Sequence, residues 1–279
     1  MYDLNLLDET LDKNQSQHNH LSIQTSLNGL SFCVLDLIRL KYIAFRHYSE
    51  FPGDNFDTGI AEILKTDDLL TLPYKSVSHI FVGDKCTLVP SQYFDEQKVS
   101  SLFNLVFHSN GNEEIYYNSL NDNVVSLFGY PANLVQNLRQ SFPNVKVFHH
   151  TTSFIETLLA DSQKITKHKC MVVIHNNILN IGIAHQKRLV FFNTFKVRSN
   201  ADIIYYILGV LEQFELSPKY TDVFFSADIK NHDELFAFLN DFLHHVKFIK
   251  PSDQFSYSYL FDDLHLTRFA NLFNIALCG

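Results

Sequence analysis

The chain's 279 residues suffice for one large or two medium domains, and a hydrophobic share of 46% can fill a sizeable core. A net charge of −8 with no basic block argues against a nucleic-acid surface, because such binding draws most of its free energy from neutralised phosphates. No apolar run approaches the roughly 18 residues needed to cross a bilayer, so a soluble cytoplasmic protein without membrane insertion is expected.

Residues 1 to about 19 carry Asp3, Asp8, Glu9 and Asp12, too polar for a signal peptide, and are expected to form a loosely docked leader without core. From Leu21 polar and apolar residues alternate on both sides of Asn28-Gly29, which predicts a hairpin with strands 21–27 and 30–38. A third strand is expected over 42–48, a helix from about 54 to 70, and a strand over 79–82. Another helix is predicted from Glu96 to Phe107. Between about 112 and 161 a small inserted α/β subdomain is expected: strands 114–117 and 124–128, a helix opening after Pro131, strand 145–149, and a helix from about Ser153.

The order of the first segments then recurs. Strands 170–176, 178–184 and 189–197 precede a helix over 200–216 and a strand over 222–226, so the chain reads as a duplicated unit. The second-half helix, with Ile203, Ile204, Ile207, Leu208, Val210 and Leu211, is hydrophobic nearly all round and is expected to lie clamped between layers. An amphipathic helix is predicted over 233–245 and a further helical run over 264–277. The polar–aromatic alternation of 255–261 suggests a strand with one exposed face or simple packing on the second lobe. Phenylalanine reaches 26 residues, and Phe103, Phe107, Phe191, Phe236 and Phe242 are read as core.

Four cysteines, Cys33, Cys86, Cys170 and Cys278, stand far apart with no CxxC pair, which predicts reduced, buried thiols and neither a zinc centre nor a disulfide framework. The pairs His18/His20, His149/His150 and His244/His245 are weak metal candidates. Adjacent histidines on a strand point to opposite faces, and near a helix C-terminus they complement the dipole. Ser31, Cys33 and Ser226 have no base or orienting acid visible in the sequence, so no nucleophilic triad is read. A two-metal nuclease site would need three carboxylates, of which Glu62 and Asp84 supply two and Gln24 stands where the third belongs.

Three antiparallel strands, a helix and a parallel strand, duplicated around an insertion, resemble the actin-like ATPase superfamily, a duplicated RNase H-like, two-lobed α/β fold. The insertion, with Val124-Val125-Ser126-Leu127-Phe128 and Val145-Lys146-Val147, resembles that of the bacterial pilus-assembly and cell-division actin homologues. In more detail the hairpin 21–36 and the run Thr87-Leu88-Val89-Pro90 resemble a bacterial family of unknown function assigned this fold. The resemblance implies a first lobe over 20–166, including the insertion at about 112–161, and a second lobe over 167–279.

Active members of that superfamily carry an aspartate and a glycine at the end of the first strand of each half, where two hairpins grip the ATP phosphates and magnesium. Mg2+ requires hard oxygen ligands or waters held by carboxylates. Matching the strands places Gln24 and Ser26 at the first pair and Val173 and His175 at the second, and no Asp or Glu occurs from Cys170 to Thr194. The adenosine-side loop reads Ser226-Ala227-Asp228, without glycine. Asp36 and Asp84 sit near strand ends and read as solvated turn aspartates. The expectation is a pseudo-ATPase: a non-catalytic scaffold or peptide-binding module, with no cofactor and no metal. Its inter-lobe cleft, lined by Gln24, Ser26, Asn28, Asp84, His175, Asn177 and Ser226, would hold a protein or peptide partner. The alternatives are an ATPase or phosphotransferase using Asp84 and Asp228 as atypical metal ligands, and a structural subunit that polymerises.

Overall fold

The computed structural model describes residues 2–26, 29–52, 56–108, 111–121, 123–162, 168–228, 232–261 and 266–278. The first lobe opens with β1 (Leu4–Leu7), β2 (Asn19–Ser26), β3 (Gly29–Asp36), β4 (Lys41–Tyr48), α1 (Phe56–Thr66) and β5 (Ser76–Phe81). Next come β6 (Cys86–Pro90), α2 (Val99–Asn104), β7 (Glu113–Leu120), β8 (Val124–Pro131), α3 (Ala132–Ser141), β9 (Lys146–His149) and α4 (His150–Ser162). The second half contains β10 (Lys169–His175), β11 (Ile178–His185), β12 (Arg188–Lys196), α5 (Asn200–Gln213), β13 (Val223–Asp228), α6 (His232–Asn240) and β14 (Val246–Phe248). The chain ends with β15 (Ser256–Tyr257) and α7 (Ala270–Asn274), the latter flanked by 3-10 turns.

The duplication holds in sheet order and strand sense. One sheet runs β1-β4-β3-β2-β5-β9 and the other β12-β11-β10-β13-β14, so β4-β3-β2-β5 and β12-β11-β10-β13 are equivalent. In each, the first three strands are antiparallel and the post-helix strand pairs parallel with the first. Both middle hairpins carry a register shift, at Val34/Leu35 and at Ile183/Ala184.

Burial explains the strand composition. The first sheet packs Leu21, Ile23, Phe32 and Val34 against Ile60, Ile63 and Leu64 of α1 and Leu134, Val135 and Leu138 of α3. Its other face packs Cys33, Leu35, Tyr42 and Phe45 against Phe269, Leu272 and Phe273. The second sheet is covered on one face by α5 and α6 and on the other by α4, so β10 and β11 read as nearly continuous apolar runs. Gly182 lies where α4 crosses: a Cβ there would meet Phe154 at 2.6 Å and Leu158 at 2.7 Å. Helix α5 starts at a capping box, with Ser199 Oγ accepting from the Asp202 amide at 3.2 Å and Asp202 Oδ2 accepting from the Ser199 amide at 3.0 Å.

Several expectations change. Residues 4–7 pair with β4 and Asp8 is buried against Lys41 Nζ at 2.8 Å, so the N-terminal segment contributes to the first lobe instead of hanging from it. Ser26 pairs directly with Gly29, so Gly29 opens a strand and is not a turn centre; Leu27 and Asn28 lie outside the described residues. The small sheet, β6-β8-β7, includes Cys86–Pro90, whereas Lys146–His149 joins the first lobe's sheet beside β5. The strand expected at 145–149 thus belongs to the first lobe's sheet and not to a separate small unit. Residues 256–257 pair with the start of β4 and α7 packs beneath β2 and β3, which returns the C-terminal segment to the first lobe. Helix α5 is no clamped layer: Ile203, Ile204, Ile207, Val210 and Leu211 face the sheet while Tyr205 is 72% exposed. Phe242 is likewise exposed, whereas Phe103 is fully buried.

Candidate functional site: the inter-lobe cleft

The lobes meet where β5, β9 and β10 end and α4 begins. Between them a cavity of about 260 Å3 is lined by Phe81 to Lys85, Glu113, Gly129, Pro131, Asn176, Asn177, Ile178 and Lys196. Its rim carries two ion pairs, Lys196 Nζ–Asp84 Oδ2 at 2.6 Å and Lys85 Nζ–Glu113 Oε2 at 2.8 Å. The first joins the lobes. Desolvation raises the Asp84 carboxyl, but the Lys196 hydrogen bond and charge outweigh it, leaving Asp84 below the usual carboxylate range. Asn176 closes the β10–β11 hairpin with φ of 55°, the left-handed region that asparagine tolerates, and Asn177 is exposed beside it.

Beneath the cavity three imidazoles stand in a row. His149 ends β9 and His150 opens α4, their rings 4.3 Å apart, and His150 lies 5.3 Å from His175 at the end of β10. The expectation that the adjacent pair would point to opposite faces fails because the strand becomes a helix between them, without a linker. His149 Nδ1 meets Thr151 Oγ1 at 2.9 Å, Asn180 Nδ2 donates to His150 Nε2 at 3.0 Å, and Asn271 Nδ2 lies 3.2 Å from His175 Nε2. Burial pulls His149 down to about 3, with the Gly83 carbonyl and Asp84 offsetting part of it, and holds His150 well below its ordinary value, reinforced by His149 and His175. Both are therefore neutral near pH 7. Among the described residues no group of three or more His, Cys, Asp or Glu is arranged to hold a metal ion.

Of the residues read from the sequence, Asp84 and Asn177 line the cavity. Gln24 is 4% exposed and its Oε1 has no partner among the described residues; Ser26 is half-buried; Asn28 lies outside the described residues. Ser226 is buried and donates from Oγ to the Thr267 carbonyl at 2.5 Å. Val173, at 2% exposure, belongs to the core that α4 covers. Asp36 caps its own turn, accepting from the Ile38 and Arg39 amides at 2.8 and 3.0 Å, and Glu62 is exposed on α1. The Asp228 side chain lies outside the described residues. One base that sequence reading missed is His47, whose Nδ1 lies 2.8 Å from Ser31 Oγ; Ser31 is buried, and the Phe269 ring lies 5.5 Å from the imidazole. Lys85, Glu113 and Lys196 were also missed, for they come from three different units and share no local pattern. A larger cavity of about 650 Å3, with His168, His185, Tyr220 and Phe224 in its wall, lies at the opposite end of β10 and β13, away from the β10–β11 hairpin tip.

Two repeated lobes of this topology, with a cleft where they meet, define an actin-like ATPase fold. A Bacteroides thetaiotaomicron protein described as having an actin-like ATPase fold and unknown function is similar to this chain, with a TM-score of 0.77 and 22% identity, covering 86% of this chain and 94% of its own. A structure of the PilM–PilN type IV pilus biogenesis complex matches with a TM-score of 0.57 and 10% identity, covering 94% of this chain and 98% of that one. No curated protein matches. The chain belongs to the family described as protein of unknown function (DUF3822), whose pattern matches residues 8–246.

Proposed function

We propose that this protein is a non-catalytic module whose inter-lobe cleft binds a protein or peptide segment. The observation that carries the reading is the chemistry at the two strand ends. Where a magnesium–triphosphate would need carboxylates, the chain has Gln24 and a core valine, Val173, with neutral imidazoles beneath. That donor set does not fit the nucleotide. The cleft carboxylates, Asp84 and Glu113, are held by Lys196 and Lys85. The cleft instead offers Asn176, Asn177 and two exchangeable ion pairs, groups suited to the backbone and side chains of an extended segment. The matched chain of the PilM–PilN complex is a precedent for this fold in a protein–protein assembly.

The test is direct. Purified protein titrated with Mg-ATP is expected to show no thermal shift that EDTA abolishes and no release of inorganic phosphate; either signal would favour the ATPase or phosphotransferase reading with Asp84 and Asp228 as ligands. Displayed random peptides selected on the wild type are expected to converge on a preference that Asn177→Arg and Lys196→Glu lose. Enrichment indifferent to both substitutions would place binding elsewhere.

A further inference from the structure

We propose that the C-terminal segment 267–274 is an internal wedge that holds the two lobes at one angle, with Asn271 bridging them where they meet. The segment touches both lobes and α4 between them. The Thr267 carbonyl accepts from Ser226 at the end of β13, and Asn271 Nδ2 reaches His175 at the end of β10, which ties it to the second lobe. The Asn271 carbonyl accepts from Ser153 Oγ at 2.8 Å, and Asn274 Nδ2 donates to Thr157 Oγ1 at 3.2 Å, which ties it to α4. Tyr42 donates to the Phe273 carbonyl, and the Phe269 and Phe273 rings lie 4.8 and 5.8 Å from Phe45, which anchors it on the first lobe.

All of these partners are buried except Thr267, which is half-buried. Swinging the second lobe on α4 would break the Asn271–His175 and Ser226–Thr267 hydrogen bonds of the seam, and the aromatic anchor prevents the wedge from following. The inter-lobe angle is therefore set by the chain itself, and a partner meets a pre-formed groove.

Two variants test this, with no ligand in the experiment, so the outcome is independent of what the cleft binds. In Asn271→Ala, amide exchange in 150–157, 175–178 and 267–274 is expected to accelerate about tenfold, while the centres of β3 and β11 keep their protection and the radius of gyration rises. In Ser226→Ala, which removes one strand-end bond and keeps the aromatic anchor, the same pattern is expected with a smaller amplitude. Should Asn271→Ala not fold, the Ser226 variant decides. Uniform acceleration across both lobes, or unchanged exchange at the seam, would overturn the wedge.

Discussion

The two lobes share one strand order and bury different chemistry. Inside the first lobe lie Ser22, Gln24, Ser31, Arg46, Asp67, Ser78 and His79. In the second sheet the buried polar residues are fewer, Lys169, His175, Asn180 and Ser226 among them, and most stand at or near strand ends. The first lobe is held by specific polar pairs supplied from distant segments. Arg46 donates to both Asp67 oxygens at 2.9 Å, to Asp68 and to Asn5, and Tyr48 donates to Asp67. These pairs add to an apolar core that both lobes possess, whereas the second lobe relies on its apolar core with fewer such pairs. A lobe built on buried polar pairs fails abruptly when one partner changes, whereas an apolar interior loses stability in proportion to what is removed.

Acid should separate the two most strongly. Burial holds His79 and His149 near 3 and His20 near 4, against an ordinary value of 6.5. Below pH 6.5 the unfolded chain takes up protons that the folded chain refuses, so stability present at neutral pH is lost as pH falls toward 4, by up to ~1.4 kcal/mol per histidine per pH unit. A urea midpoint level above pH 7 and falling steeply between 6.5 and 4 is expected, with β2 and β5 losing amide protection first. A midpoint unchanged at pH 5 contradicts the assignment.

Next in size is Asp67→Ala. It strips Arg46 and Tyr48 of their buried acceptor, leaving the guanidinium to the half-exposed Asp68 and to Asn5, and is expected to cost about 3 kcal/mol in denaturant titration, the lower end for a broken buried pair. Gly182→Ala tests the second lobe by overpacking α4 and should cost about 1–3 kcal/mol, with a larger loss if Phe154 cannot shift. The smallest effect belongs to the rim. Lys196→Ala breaks a pair whose side chains are 69% and 40% exposed, so less than about 1 kcal/mol is expected; a larger loss would mean that this pair, not the buried seam, fixes the lobes.

Much of the fold was legible because period-2 alternation and apolar runs mark strands directly. Both four-strand repeats, α1, α3, α5 and α6 fall where their patterns place them, within a few residues. Three strands were not legible: β1, β6 and β14 are short or edge elements with little alternation of their own, whereas the alternation over 255–261 suggested a strand where β15 lies, on the first lobe and not the second. Gly29 illustrates a right residue assigned the wrong reason. Its φ is 146°, and a Cβ there would meet the Tyr48 carbonyl at 2.2 Å, so it answers a cross-strand crowding that no local pattern reports. In the cleft, Asp84 and Asn177 could be read from strand ends, whereas Ser226 and His175 turn inward because Thr267 and Asn271 arrive from the far end of the chain.

Read alone, the chain determined its repeated architecture and the uncharged residues at both leading strand ends, since periodicity and residue type are local properties. Only the tertiary structure decided that the terminal segments complete the first lobe, that three histidines share one seam, and that Lys196 faces Asp84. Those outcomes depend on which distant surfaces meet, and buried polar groups find their partners only after the sheets have packed.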